Sequence, residues 1–188
     1  HAQAFIALGA NLLHGNTAPH DLLRDAIKSL TEKGACFVNQ SRLYRSPAVP
    51  EGSGPDYVNA VAEIRTDLGA PEFLSLLHEV EDKYGRDRRT RWAARALDLD
   101  LLSHGDLIVP DRATFAAWST LNFEEQKQKA PTSLILPHPR IQDRAFVLVP
   151  LAEIAPTWRH PVSGRTAQEL CDALPLSDRQ ALVPIEPE

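Results

Sequence analysis

"YVNAVAEIRTDLGAPEFLSLLHEVEDKYG", Tyr57 to Gly85, changes its hydrophobic period half-way along, and that change decides how the chain is built. In the first part Val58, Ala60, Ala62 and Ile64 point one way from a strand, and Tyr57, Asn59, Val61 and Glu63 point the other. From Pro71 the spacing turns helical. Phe73, Leu74, Leu77, Val80 and Tyr84 share one face, with proline at the start and Gly85 as the stop. Upstream, "AFIALG" (Ala4–Gly9) reads as a buried strand, followed by a helix in which Leu22, Leu23, Ala26, Ile27 and Leu30 recur between Pro19 and Gly34. "CFVNQSRLYRS" (Cys36–Ser46) has strand composition, and the proline- and glycine-rich "SPAVPEGSGP" must be a loop. Downstream, "RALDLDLL" (Arg95–Leu102) is a further strand.

The order strand, helix, strand, strand, helix, strand predicts an α+β chain with a ferredoxin-like βαββαβ core, its two helices on one face of an antiparallel sheet. The stretch 109–133, with charges at Glu124–Lys129 and prolines at both ends, reads as an insertion carrying a short helix. The apolar "RAFVLVPLAEIAP" follows, then a last helix in "TAQELCDAL", where Thr166 and Glu169 make a capping box; these form a C-terminal extension. With 188 residues, 43% of them hydrophobic, one domain spanning 1–188 is expected.

A net charge of −5 argues against a surface built for nucleic acid or an anionic membrane. No apolar run approaches the roughly 18 residues of a membrane span, and "HAQAFIALG" has no basic stretch ahead of a long apolar one. Cys36 and Cys171 have no metal-binding spacing and read as buried reduced thiols, which suits the cytoplasm.

If Ala96–Leu102 is a strand, Leu97, Leu99 and Leu101 are buried, and Asp98 and Asp100 share the opposite face with Cα atoms roughly 6 to 7 Å apart. Two carboxylates that close favour a shared cation, and Mg²⁺ with one or two carboxylates, water and phosphate suits such a pair. Alternating Leu and Asp also describes an ordinary amphipathic strand. Upstream, however, "GRDRRTRWAAR" places Arg86, Arg88, Arg89, Arg91 and Arg95 around Trp92. Guanidinium groups grip phosphate oxygens bidentately, so arginines beside an aspartate pair suit phosphoryl transfer, and a segment with little apolar content suits a lid. Tyr57 and Asn59 share a strand face. An amide donor and acceptor matches the edge of a heterocycle, and aromatics such as Phe146 and Trp92 supply stacking faces. His138, between two prolines in "LPHPR", is a candidate phosphate contact, whereas His78 reads as a partly buried structural residue.

Together "FIALGAN", "SRLYRSPAV", "PDYVNAV", "EDKYGR", "RWAARALDLDLL", "LPHPR" and "DRAFVLVPLAEIAP" resemble, in order and over almost the whole chain, the 6-hydroxymethyl-7,8-dihydropterin pyrophosphokinase family of folate biosynthesis. The resemblance implies pyrophosphate transfer from ATP to the pterin hydroxymethyl group, releasing AMP. It implies that Asp98 and Asp100 bind two Mg²⁺ ions, and that Arg86 and Arg95 stabilise the transferring group with Arg88 in the same loop. Asn59 would read the pterin edge, Tyr57 and Phe146 would wall it, the backbone from Ser46 through Pro47 to Val49 would add hydrogen bonds, and Trp92 would close over it. Glu81, His138 and Arg144 match positions near the nucleotide. The partners implied are small molecules acting on a cytoplasmic monomer. Departures from the pattern are Ala93-Ala94 in place of Gly-Pro, Ala96 in place of threonine, the long insertion, and His78 where a glutamine is common.

Two rivals predict other features. A ferredoxin-like RNA-binding module predicts a basic domain and an RNP1-like "GFxFV" stretch, which the acidic balance and the sequence oppose. Another Mg²⁺-dependent nucleotidyl or phosphoryl transferase on the same scaffold has less use for the Asn59 and aromatic slot.

Overall fold

The computed structural model describes residues 1–10, 18–47, 56–85, 97–129 and 131–186. β1 (Ala2–Ala10) pairs antiparallel with both β4 (Tyr57–Thr66) and β5 (Asp98–His104). The far edge of β4 takes two short strands, β2 (Cys36–Gln40) and β3 (Tyr44–Ser46), and β6 (Val183–Pro184) pairs with β3. With β2 and β3 counted as halves of one strand, the sheet runs last, first, third, second, which is the predicted ferredoxin-like order.

One face packs on α1 (Pro19–Glu32) and α2 (Ala70–Gly85) through Ile6, Leu8, Ala60, Ala62, Ile64, Leu99 and Leu101 against Leu22, Leu23, Phe73 and Leu77. A hydroxyl pair, Ser29 to Tyr84 at 2.9 Å, ties the two helices. The other face is covered as well, by the C-terminal extension. Phe5, Ala7, Val61 and Leu102 are buried there under α5 (Ala145–Ile154) and α6 (Ala167–Asp172). The apolar "RAFVLVPLAEIAP" is therefore a second cover, which is why Val61 is fully buried although strand alternation puts it opposite Ala60.

Other expectations need adjusting. The strand Cys36–Ser46 breaks at Ser41, where Arg42 turns out to Glu153, its backbone N–H donating to Oε2 at 2.6 Å and its Nε to Oε1 at 2.7 Å. Cys36 is exposed because it begins the outermost half-strand; only Cys171 is buried. The insertion holds two helices, α3 (Arg112–Ser119) and α4 (Phe123–Gln128), in place of one. The Thr166–Glu169 capping box forms as expected, a device worth about 1 kcal/mol, but α7 (Leu176–Gln180) and β6 follow its helix. Among the described residues no helix is long and apolar enough to cross a membrane.

His160 is a buried joint between body and insertion. Its ring lies 5.6 Å from Phe115 of α3 and 5.9 Å from Trp158. Nδ1 accepts the Val162 and Ser163 backbone N–H groups, each at 3.2 Å, which leaves the proton on a buried Nε2 with no hydrogen-bond partner. Burial pushes its pKa down to about 4 from 6.5. The folded chain thus keeps His160 neutral where the unfolded chain binds a proton, so stability falls as pH drops below 6.5 and the loss is complete below about 4. On the order of 2 kcal/mol should disappear between pH 7 and pH 5. Urea unfolding of wild type and H160N at both pH values checks this: the variant should be weaker at pH 7 but lose less on acidification. Equal losses would remove the assignment.

Candidate active site

Register places the candidate residues before any side chain is considered. Gly9 of β1 is paired with Asn59 on one side and Asp98 on the other, and Ala7 likewise with Val61 and Asp100. Residues directly opposite in antiparallel strands project from the same face, so Asn59, Asp98 and Asp100 all emerge on the α5 side while their neighbours Ala60 and Leu99 enter the α1–α2 core. The strand spacing sets Asn59 and Asp98 roughly 10 Å apart, Cα to Cα, with Gly9 between them. Gly9 carries no side chain, and a Cβ there would stand 3.4 Å from Asn59 Oδ1.

Above this row opens a cleft of about 420 Å³ lined by Ser46, Pro47, Tyr57, Asn59, Asp98 and Asp100, with Arg144 and Phe146 from the start of α5. Asn59 is buried at 6% exposure, and its amide donates to Ser46 Oγ at 2.6 Å, which fixes the amide plane. Tyr57 is half-buried and Phe146 exposed, and both line the same cleft as the amide. The Arg144 guanidinium lies 5.5 Å from the Phe146 ring centre and 3.8 Å from the Asp100 carboxylate. Burial lowers its pKa, with the Asp100 charge opposing. Glu153 braces the two walls: besides Arg42 it accepts from the Tyr44 hydroxyl at 2.6 Å, joining β3 to α5.

A second cleft, about 530 Å³, lies beside β5 between α2 and the segment after the insertion. It is lined by Leu74, His78 and Glu81 from α2, Trp118 and Lys129 from the insertion, Ser133 to Ile135, and His138, Arg140 and Arg144; Asp100 belongs to it too. The His138 backbone N–H donates to the Leu102 carbonyl at 2.8 Å, which anchors the loop to β5. Its Nδ1 accepts the Arg140 N–H at 3.1 Å, so the neutral ring carries its proton on Nε2. Burial pushes His138 down to about 4; Asp100 raises it, while Arg144 and Arg140 add to the lowering. At neutral pH it is an uncharged N–H donor.

Residues 5–156 match the family model "7,8-dihydro-6-hydroxymethylpterin-pyrophosphokinase (HPPK)". The chain belongs to the HPPK family. The chain is 38% identical over 177 residues to 2-amino-4-hydroxy-6-hydroxymethyldihydropteridine pyrophosphokinase of Synechocystis sp., covering 93% of this chain and 78% of that protein. It is 34% identical over 160 residues to the folic acid synthesis protein fol1 of Pneumocystis carinii, covering 85% of this chain and 18% of that much longer protein. In fold it is similar to Plasmodium falciparum HPPK-DHPS, with a TM-score of 0.60 at 14% identity, over 92% of this chain and 43% of that one.

The sequence-predicted residues of this HPPK chain thus fall into two groups that meet. Ser46, Pro47, Tyr57, Asn59 and Phe146 line the first cleft, Glu81 and His138 the second, and Asp100 and Arg144 both, with Asp98 in the first. Val49, Arg86, Arg88, Trp92 and Arg95 lie outside the described residues. His78 needs correcting: it is exposed on α2 and lines the second cleft, since helical spacing next to Leu77 does not make position 78 inward. Trp118 and Lys129 were missed, because the insertion's prolines and charges gave no sign of where it packs. Among the described residues no group of three or more His, Cys, Asp or Glu could hold a metal. Two carboxylates on one face of a strand still fit Mg²⁺, which can take its remaining ligands from water and phosphate.

Proposed function

We propose that the two clefts hold the two substrates of the family's reaction, the pterin in the smaller and ATP in the larger, within one catalytic unit spanning the chain and acting as a cytoplasmic monomer. The observation that carries this is that Asp100 and Arg144 line both clefts, so anionic groups reaching in from one side meet a heterocycle held on the other. The reaction is pyrophosphoryl transfer in folate synthesis. The hydroxymethyl oxygen attacks the β-phosphorus of ATP, the bond from that phosphorus to the oxygen bridging to the α-phosphorus breaks, AMP leaves, and the hydroxyl proton is lost.

Asn59, its amide held by Ser46, offers a donor and an acceptor to the pterin edge, and Tyr57 and Phe146 stack on its faces. His138 donates from Nε2 to a phosphate oxygen, while Arg144 supplies a full positive charge. Glu81, buried on α2, faces the nucleotide side. Asp98 and Asp100 would hold two Mg²⁺ ions, whose charge would draw together the phosphates and offset the negative charge developing on them. By resemblance Arg86 and Arg95 would stabilise the transferring group with Arg88 in the same loop, Trp92 would close over the site, and backbone groups from Ser46 to Val49 would add hydrogen bonds to the pterin. These groups position substrates and neutralise charge; none forms a covalent bond. Incubation with ATP, Mg²⁺ and 6-hydroxymethyl-7,8-dihydropterin should release AMP with the pterin diphosphate, and a pterin-free control should not. No AMP from folded protein would sink the proposal.

A further inference from the structure

The insertion leaves and rejoins the body at one point: Val109 and Leu136 exchange backbone hydrogen bonds, each at 3.0 Å, so everything between is a closed excursion. Its first helix is fixed at three places. The Asp111 carboxylate caps the Thr114 N–H at 2.7 Å. Phe115 is buried against His160. At the other end the carbonyls that a helix terminus leaves orphaned are collected by one buried guanidinium: Arg140 donates to Trp118 O at 3.1 Å, Ser119 O at 3.3 Å and Leu121 O at 2.6 Å, and pairs with Asp143 at 3.0 Å. Arg140 is also the residue whose backbone N–H sets the His138 tautomer. The same residue therefore fixes the phosphate donor and the end of α3.

What this construction presents to the second cleft is the half-buried side chain of Trp118, beside the apolar Leu74, Leu134 and Ile135. A surface helix clamped this firmly, with an indole turned into a cleft of about 530 Å³, is more than a spacer. We propose that Trp118 is a nucleobase-stacking residue, and that the insertion is part of the nucleotide site. The inference rests on ATP occupying this cleft. Stacking on an aromatic ring tolerates any base, so Trp118 sets affinity for a nucleotide over a bare polyphosphate more than it selects adenine.

The test is direct binding of ATP and of inorganic tripolyphosphate, which has the phosphates without a base, to wild type, W118A, W118F and H138A. In W118A the Kd for ATP should rise about tenfold while that for tripolyphosphate stays within twofold, and W118F should recover most of the loss. Equal weakening of both ligands would mark Trp118 as structural, and unchanged ATP binding would mark it as idle; either overturns the inference. H138A should weaken both ligands. If it weakens neither, the cleft is not the nucleotide's and the functional assignment falls with the inference; if it weakens both while W118A changes nothing, only the inference falls.

Discussion

D98N and D100N are each expected to lower the rate of AMP formation by about a thousandfold or more, with the fold intact. Both side chains are half-exposed on the cleft side of β5, while Leu99 and Leu101 between and beyond them are buried in the α1–α2 core. Asparagine keeps the shape and removes the charge, so packing is undisturbed. The ion pair from Asp100 to Arg144 has a 3.8 Å separation and a carboxylate still 46% exposed, so its loss should cost less than about 1 kcal/mol of stability. If the pair holds Mg²⁺ as proposed, the chemical loss is far larger, because removing a charge that holds a metal on reacting phosphates forfeits several kcal/mol of transition-state stabilisation. Rates measured across a Mg²⁺ titration, beside melting curves, separate the two effects. Near-wild-type turnover in either variant would remove the metal assignment, and a collapsed melting transition would make the aspartates structural.

The aspartates and Asn59 were legible in the sequence because strand alternation is rigid: once Leu99 and Ala60 are inward, Asp98, Asp100 and Asn59 must share the other face. What alternation cannot state is which strands are neighbours. That Gly9 lies between Asn59 and Asp98 is a fact of register across three strands, and the resemblance to the family stood in for it. Local signals likewise gave the helices through Pro19, Pro71 and the Thr166 cap. The break at Ser41 was not legible, since it depends on Glu153, 111 residues from Arg42, drawing the chain outward. Burial of Cys36 was misjudged for a related reason: composition says that cysteines favour interiors, but only topology says that Cys36–Gln40 is outermost. The insertion hid most. Trp118 enters the second cleft because Arg140 grips its carbonyl from a loop 22 residues on, a long-range contact that no period or cap in "RATFAAWST" announces.

N59L should separate recognition from chemistry. Asn59 is 6% exposed, and its amide donates to a Ser46 hydroxyl that is itself buried, so the pair is fixed out of water at the wall of the cleft. A leucine of similar volume leaves Ser46 unpaired and offers the heterocycle neither donor nor acceptor. Losing two hydrogen bonds in a desolvated site at about 1.5 kcal/mol each predicts a kcat/KM for the pterin lower by about a hundredfold. Asn59 does not line the second cleft, so the Kd for ATP should stay within twofold. S46A tests the positioning directly. It keeps the amide but releases its plane, so the loss should be smaller, about tenfold, and the double variant should be no worse than N59L alone, because the Ser46 hydroxyl acts through Asn59. Additive losses would show Ser46 touching the substrate itself. An unchanged pterin KM in N59L would move the heterocycle out of this cleft and take the roles of Tyr57 and Phe146 with it.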